Sequence, residues 1–231
     1  MKMRDPVLDH LQGSQQVQVI NKGVGGDNTD DALKRFEDDV LVMKPNHLII
    51  GFGMNDAINS AKLTPLSRYE HNLQTMIDAA RRDGIQDIIL VTMNPVIESY
   101  ARKRHPNHPS RNLYAHLSRY VEVVRCIALR NVLQVADLRR LVESKGGATE
   151  GASSLLRNIA NSQNEDGVHL TAEGYRLMAE LFIPILKGKV KPGDVVVCFG
   201  DSITCGGGLR GAGTTEGENY PSYLKALLGN L

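Results

Sequence analysis

Five short apolar runs, separated by segments with helical spacing, place the strongest constraint on the fold of this chain. The runs span residues 17–20, 47–52, 87–91, 132–135 and 195–199. Three of them are almost continuously apolar, as strands of a parallel sheet are when helices cover both of its faces. The alternation of strand and helix patterns predicts a doubly wound α/β sandwich with right-handed crossovers.

The spacing of apolar residues also predicts the helices between these strands. One apolar stripe extends from Leu33 to Leu41, and a second helix spans residues 65–82, with Gly84 in position to end it. A third helix is expected over residues 113–129, and a fourth after Thr171, a typical N-cap residue. Residues 94–111 and about 145–165 have no such pattern and are expected to be long loops.

A chain of 231 residues can bury a sizeable core, so we expect a single domain spanning residues 1–231. The net charge of +1, without a concentrated Lys/Arg block, gives no electrostatic reason to expect a nucleic acid or a membrane as partner. The small basic cluster at residues 102–105 is interpreted as a solvated loop. A homo-oligomer stays open, because apolar helix faces can meet either the sheet or another subunit.

The first residues of the chain and its cysteines are used to predict the cellular compartment of the protein. Residues 1–6 lead into polar sequence without the apolar run of a signal peptide, and no apolar stretch approaches the roughly 20 residues that span a bilayer. Three cysteines cannot all pair within one chain, and they have no metal-type C-x-x-C spacing. We therefore expect a cytoplasmic protein, unless a leader has been removed.

Polar or glycine-rich motifs follow three of the predicted strands directly, at residues 21–26, 53–56 and 200–202. Because functional groups of such a sheet gather at the carboxyl ends of the strands, the three motifs are expected to face one crevice. The third reads Gly200-Asp201-Ser202, so that a serine stands at the tip of a buried strand. Ser202 is a candidate nucleophile, although the tripeptide alone also fits an ordinary helix cap.

A serine nucleophile needs a base, which is best sought in Asp166-Gly167-Val168-His169. An Asp and a His three residues apart, in a turn before a helix, can bring carboxylate and imidazole into contact. Asp166 would then hold the tautomer that leaves one ring nitrogen of His169 free for Ser202. The alternative is that Asp166 caps a turn and that His169 is a surface histidine.

Acyl transfer also needs hydrogen-bond donors for the developing oxyanion. Asn55, in Gly53-Met54-Asn55-Asp56, could supply a side-chain amide, and the glycine-rich turn that ends at Gly26 could supply a backbone amide. Both motifs are also consistent with plain turns and helix caps. The glycine run lacks the spacing of nucleotide-binding loops.

Together the four motifs resemble the sequence blocks of the SGNH, or GDSL, hydrolases, which supply a Ser, a Gly, an Asn and an Asp-x-x-His pair. The resemblance implies a flavodoxin-like three-layer α/β/α sandwich with a five-stranded parallel sheet. It also implies Ser202 as nucleophile, His169 as base, Asp166 as the group that orients it, and an oxyanion hole formed by the Ser202 and Gly26 amides and the Asn55 side chain. Neither a cofactor nor a metal is required.

The order of the blocks departs from the family, because the Ser block comes first there and last here, within residues 194–231. Starting the sequence at Lys191 and joining Leu231 to Met1 restores the family order, so we expect a circularly permuted chain. The new join would fall in the polar residues 187–193. Counted in family order, the strands should then lie in the order 2-1-3-4-5.

The resemblance implies a serine esterase that hydrolyses carboxylic esters through an acyl-enzyme. Similarity of residues 191–204 to sugar O-deacetylases favours an acetylated carbohydrate as substrate. Two alternatives stay open. One is an acyl hydrolase of the lysophospholipase or thioesterase type, and the other is a non-catalytic carbohydrate-binding relative that has kept the fold.

Overall fold

Five parallel strands form one sheet in the computed structural model, which describes residues 16–229. They are β1 (Gln18–Gly23), β2 (His47–Gly51), β3 (Asp87–Val91), β4 (Gln134–Ala136) and β5 (Val195–Gly200). The order across the sheet is β1-β5-β2-β3-β4. Counted from the strand that precedes Ser202, this is the order 2-1-3-4-5 that the sequence predicts. The polar start at residues 1–6 and the expected junction of Leu231 with Met1 lie outside the described residues.

The last strand of the chain lies between the first two. β5 pairs with β1 from Val195 opposite Gln18 to Gly200 opposite Gly23, and Gly200 also lies opposite Gly51 of β2. Three glycines therefore stand side by side at the carboxyl ends of three adjacent strands. This edge is where the three predicted motifs begin.

Helices cover both faces of the sheet. Their bounds are α1 (Thr29–Asp39), α2 (Met54–Ile58), α3 (Leu66–Arg82), α4 (Glu98–Arg104), α5 (Leu113–Asn131), α6 (Leu138–Ser144), α7 (Ile159–Ser162), α8 (Ala172–Glu180), α9 (Ile183–Leu186), α10 (Ser202–Cys205) and α11 (Tyr220–Leu228).

Two hydrophobic clusters lie on opposite faces of the sheet, because successive strand residues point to opposite sides. Along β5, Val197 and Phe199 belong to one cluster, and Val196 and Cys198 belong to the other. The first cluster includes residues of α1, α3 and α5, whereas the second includes residues of α6, α8 and α11. The predicted three-layer α/β/α sandwich with a parallel sheet is therefore confirmed.

The long helices follow the predicted spacing closely. Residues 65–82 and 113–129 correspond to α3 and α5, and the Thr171 side chain caps α8 by accepting a hydrogen bond from the Gly174 amide at 3.1 Å. Gly84, just beyond α3, has a φ of +91°, a backbone conformation that glycine adopts at little cost.

The structure differs from the prediction in three places. The first helix ends at Asp39, and Leu41 lies in a short 3₁₀ turn. β4 begins at Gln134, because Val132 has a left-handed φ of 54° at the end of α5 and is 91% exposed. The segments expected to be loops contain the short helices α4 and α7.

Residues 187–193, the expected join, connect α9 to β5, and most of them are exposed. The last helix, α11, contacts the first strand, β1, so the two ends of the described chain approach each other. Within residues 16–229, none of the helices combines the length and the apolar character that crossing a bilayer requires.

At the amino ends of the strands, a buried histidine forms hydrogen bonds that connect three of them. His47 Nδ1 lies 2.6 Å from Asp87 Oδ2, and His47 Nε2 lies 3.1 Å from Asp194 Oδ2. Burial by itself lowers the pKa of His47, but the hydrogen bonds with Asp87 and Asp194 raise it above its ordinary value of 6.5. The imidazole therefore links β2 to β3 and to the residue preceding β5.

We expect this contact to make the free energy of unfolding depend on pH. Because the pKa of His47 is raised by folding, its contribution is fully present below its ordinary pKa and is lost as pH rises through the folded pKa. Replacing His47 with Gln should therefore cost more stability at about pH 5.5 than at about pH 8.5, on either side of the ordinary histidine pKa. Urea unfolding of both proteins at the two pH values measures this. An equal cost at both values would contradict the prediction.

Candidate active site

Ser202 begins α10, directly after β5, in a turn that its neighbours fix. The Asp201 carboxylate accepts a hydrogen bond from the Ile203 amide at 2.9 Å and so caps the helix. Asp201 is fully buried, and burial raises its pKa to about 7. The close packing of the turn requires a glycine before it, because a Cβ on Gly200 would lie 2.0 Å from Thr204 Oγ1. The serine hydroxyl is thus presented at the edge of the sheet.

The predicted base, His169, lies within hydrogen-bond distance of both the predicted nucleophile and the carboxylate predicted to orient it. His169 Nε2 is 3.0 Å from Ser202 Oγ, although Ser202 follows 33 positions later in the chain. His169 Nδ1 is 2.9 Å from both carboxylate oxygens of Asp166. The structure therefore brings Asp166, His169 and Ser202, which lie in two separate parts of the sequence, into one chain of hydrogen bonds.

The environment of Asp166 keeps its carboxyl ionised. Burial alone raises the pKa of Asp166, but hydrogen bonds from the His169 ring and from the His169 and Val168 amides hold it well below its usual range. The two amides donate at 2.9 and 3.1 Å. An ionised carboxylate next to Nδ1 favours the tautomer with its proton on Nδ1, which leaves Nε2 of His169 free to accept the proton of Ser202.

The turn that carries His169 is held by contacts with α4 and with the segment that follows β3. Gly167 has a φ of +69° and packs so closely on Tyr100 that a Cβ would lie 2.9 Å from its Cβ atom. The buried Asn94 side chain donates to the Val168 carbonyl at 2.9 Å. Sequence reasoning did not single out Asn94 as a site residue. Its place three residues beyond β3 is the signal that could have found it, because the other motifs also follow strand ends.

Gly26 and Asn55, the predicted oxyanion-hole residues, line one cleft with Ser202 and His169. Asn55 Nδ2 donates to the Asp27 carbonyl at 2.9 Å, and Asn55 Oδ1 accepts from Asn59 Nδ2 at 3.2 Å. These bonds orient the amide and leave its second N–H for a ligand. Within the described residues, the backbone amides of Gly26 and Ser202 donate to no other group. The cleft thus offers three donors of the kind an oxyanion needs.

Asp56 serves as a structural acceptor beside Asn55. Its buried carboxylate accepts from the Thr29 amide at 3.0 Å and from the Thr29 hydroxyl at 2.5 Å. Burial raises the pKa of Asp56, while these hydrogen bonds oppose the shift. The contact fixes the start of α1 against α2, which carries Asn55.

Arg35 was not predicted from the sequence, yet its guanidinium connects the ends of β1 and β5 to the turn that contains Gly26. Nη2 donates to the Gly200 carbonyl at 2.9 Å, and Nη1 donates to the Lys22 carbonyl at 3.0 Å. Nε donates to the Asp27 carboxylate at 2.7 Å, and the charge lies over the Phe199 ring at 4.4 Å from its centroid. Arg35 therefore stabilises the positions of Ser202 and of the turn that contains Gly26.

The basic cluster at residues 102–105 is not a solvated loop. Its first three residues form the last turn of α4, and Arg104 and His105 line the same cleft as Ser202. Cys205, the other nucleophilic side chain close to Ser202 in sequence, is a free thiol whose pKa is raised by burial. Within residues 16–229, no group of His, Cys, Asp and Glu side chains is arranged to hold a metal ion.

A family model of GDSL-like lipases and acylhydrolases matches residues 5–177 of the chain. The chain belongs to the GDSL-like lipase/acylhydrolase family. The match includes Gly26, Asn55, Asp166 and His169, and it ends before Ser202. This GDSL-like acylhydrolase is accordingly a carboxylic ester hydrolase, as the sequence predicted.

The chain is also similar to individual proteins. The GDSL-like acylhydrolase is 31% identical over 176 residues to the uncharacterized lipoprotein YqeF of Bacillus subtilis (strain 168), covering 70% of each protein. The crystal structure of a lipase/acylhydrolase from Enterococcus faecalis shares 29% identity and a TM-score of 0.60, covering 81% of this chain and 88% of that one. An acetylxylan esterase of Geobacillus stearothermophilus is 30% identical over 83 residues, which are 33% of this chain and 37% of that protein.

We expect Asn55→Ala to lower kcat for ester hydrolysis by about 10²–10³-fold, because one oxyanion donor is lost. Asn59→Ala, which removes the hydrogen bond that Asn59 Nδ2 donates to Asn55 Oδ1, should lower kcat by less than about tenfold, since a neutral hydrogen bond contributes about 1 kcal/mol. Thermal unfolding of both variants serves as the control for folding. Unchanged kcat in a folded Asn55→Ala protein would contradict a role for this side chain.

Proposed function

We propose that the protein is a serine esterase that forms an acyl-enzyme on Ser202. The proposal is supported by one observation above all, the 3.0 Å contact of Ser202 Oγ with a His169 ring whose other nitrogen is bound by the ionised Asp166. A serine hydroxyl is a poor nucleophile until a base is in place to take its proton. Here the base lies at hydrogen-bond distance, and the group that orients it is buried.

In the first half of the reaction, Ser202 Oγ attacks the carbonyl carbon of the ester while His169 Nε2 takes the hydroxyl proton. The negative charge develops on the former carbonyl oxygen, which is bound by the Ser202 and Gly26 amides and by Asn55 Nδ2. When the tetrahedral intermediate collapses, the C–O bond to the alcohol breaks and His169 returns the proton to the leaving oxygen.

In the second half, a water molecule gives a proton to His169 Nε2 and attacks the acyl carbon. The bond to Ser202 Oγ then breaks, the proton returns to the serine, and a carboxylic acid leaves. Asp166 stays ionised throughout and stabilises the imidazolium that forms in each half. This reaction requires no cofactor.

The best-supported substrate is an acetyl ester of a carbohydrate. The cleft has a volume of about 320 Å³ and is lined mainly by polar and small residues. This volume lies at the low end for ligand sites, which favours a small acyl group over a long chain. The similarity to a protein described as an acetylxylan esterase supports the same choice.

Two alternatives make different demands on the cleft. A lysophospholipase or thioesterase needs room for an extended acyl chain, for which the apolar side chains of Met54, Ile58 and Val168 offer a short wall. A non-catalytic carbohydrate-binding relative would not need a base beside Ser202, and the 3.0 Å contact with His169 gives that alternative no support.

We also infer that the chain is one domain, residues 1–231, in which the family's order of segments is circularly permuted and the Ser block occupies residues 194–231. Two observations support this inference. The family match ends at residue 177, so the segment that carries Ser202 lies beyond it. The same segment supplies β5, which lies between the two earliest strands of the chain.

Hydrolysis of 4-nitrophenyl acetate by single variants tests the proposed mechanism. We expect Ser202→Ala and His169→Ala each to lower kcat by at least about 10³-fold, because the first removes the nucleophile and the second removes the base that activates it. Cys205→Ser, a change of the neighbouring nucleophilic side chain, should retain the activity of the unaltered protein. If both of the first two variants kept full turnover, the proposal would be wrong.

A comparison of the rates of hydrolysis of four esters tests the proposed substrate class. Acetyl and octanoyl 4-nitrophenyl esters are compared first, and acetylated xylan and a lysophospholipid after them. The proposal predicts higher kcat/KM for the acetyl ester and acetate release from xylan. Faster hydrolysis of the octanoyl ester together with the lysophospholipid would identify the alternative acyl hydrolase.

A further inference from the structure

The last turn of α4 carries three successive basic residues, and only one of them lacks a close carboxylate. Arg102 Nη2 lies 2.6 Å from Glu98 Oε1, and Lys103 Nζ lies 2.8 Å from Glu165 Oε1. For Arg104, the sole carboxylate within 4.0 Å in residues 16–229 is Asp166, whose Oδ1 is 4.0 Å from Nη2. This distance is too long for a hydrogen bond. The Arg104 guanidinium therefore has donors to spare.

Arg104 is also the residue of this turn that lines the cleft next to Ser202 and His169. Its side chain is 41% exposed, so a ligand can reach it. The Asp166 carboxylate is stabilised without Arg104, because its oxygens already accept hydrogen bonds from the His169 ring and from two backbone amides. The guanidinium consequently faces the space that a substrate enters.

The rest of the cleft wall gives Arg104 no counter-charge. Among the described residues that line the cleft, none is acidic. His105 is the basic neighbour of Arg104, and its Nδ1 accepts a hydrogen bond from the Ser60 amide at 3.4 Å. Burial, followed by the charge of Arg104, lowers the pKa of His105, which is therefore neutral at pH 7. Of the cleft-lining residues that the structure describes, Arg104 is thus the one side chain with a permanent positive charge.

We propose that Arg104 binds an anionic group of the substrate, so that the enzyme selects esters that carry a carboxylate or a phosphate close to the ester bond. A guanidinium presents a planar fork of N–H donors that matches either anion, and such charge-assisted bonds are stronger than neutral ones. This inference rests on the proposed esterase function of the same cleft. For an acetylated carbohydrate, the sugar that carries the acetyl group, or its neighbour, would then bear the anion, as a uronic acid or a sugar phosphate does.

The test compares matched acetyl esters. 4-Acetoxybenzoate is anionic, 4-acetoxybenzamide is its neutral counterpart, and 4-acetoxyphenyl phosphate distinguishes phosphate from carboxylate. A second pair, 4-nitrophenyl hydrogen adipate and its methyl ester, places the charge on the acyl side. For the favoured pair, the anionic ester should have the higher kcat/KM, and the preference should shrink as salt is added.

Arg104→Gln should lower the ratio of kcat/KM for anionic over neutral ester by about fivefold to tenfold, mainly through KM, because a partly exposed ion pair is lost. Lys103→Gln removes the same charge from the same turn but outside the cleft, and its ratio should equal that of the unaltered protein. If Arg104→Gln left the ratio unchanged in both pairs, or if Lys103→Gln lowered it as much as Arg104→Gln, the proposal would be wrong. It would also be wrong if Arg104→Gln lowered kcat equally for both esters and shifted the pH profile, since Arg104 would then act through Asp166.

Binding to the Ser202→Ala protein separates this inference from the proposed mechanism. Calorimetry should show 4-acetoxybenzoate binding more tightly than 4-acetoxybenzamide, and adding Arg104→Gln should remove the difference. Discrimination in binding without Ser202-dependent turnover would refute the esterase mechanism alone. Turnover that depends on Ser202 but ignores the charge would refute the role of Arg104 alone.

Discussion

The pairing of β5 with β1 on one side and β2 on the other is the contact on which the whole site depends. It places Gly200 opposite both Gly23 and Gly51, so that three strands end at the same level. α10 then crosses so close to β1 that a Cβ on Gly23 would lie 2.1 Å from the Cys205 amide nitrogen. Arg35 donates hydrogen bonds to the Lys22 carbonyl of β1 and to the Gly200 carbonyl of β5, and so fixes this arrangement. A shift of β5 by one residue would move every one of its side chains to the opposite face.

The site contains one buried charge, on Asp166, and one exposed charge, on Arg104. Asp166 lies behind His169 with a side chain that is 5% exposed, and its ionised carboxyl is surrounded by donors. Arg104 lies in the open cleft with 41% of its side chain exposed. The buried charge can therefore hold the catalytic tautomer, while the exposed charge remains free to contact a substrate. A substrate anion would meet the guanidinium without displacing the carboxylate.

The strands and long helices could be predicted because their apolar spacing directly reflects which face is buried. The grouping of Ser202, Asn55 and Gly26 in one cleft could be predicted because each motif follows a strand, where a parallel sheet collects its functional groups. α4 could not, since only Tyr100 and Ala101 of its seven residues are buried, and these two form no periodic pattern. Consequently Arg104 was interpreted as part of a solvated loop. Its place in the cleft depends on tertiary packing, which local sequence does not encode.

Covalent labelling tests the central claim, that Ser202 is the nucleophile and that His169, 33 residues before it in the sequence, is its base. The native protein is treated with a fluorophosphonate, which reacts with activated serines, and the modified peptide is identified by mass spectrometry. The account predicts one adduct, on Ser202, which is lost in His169→Ala although that protein remains folded. An adduct on another residue, such as Cys205, or undiminished labelling of Ser202 without His169, would contradict it.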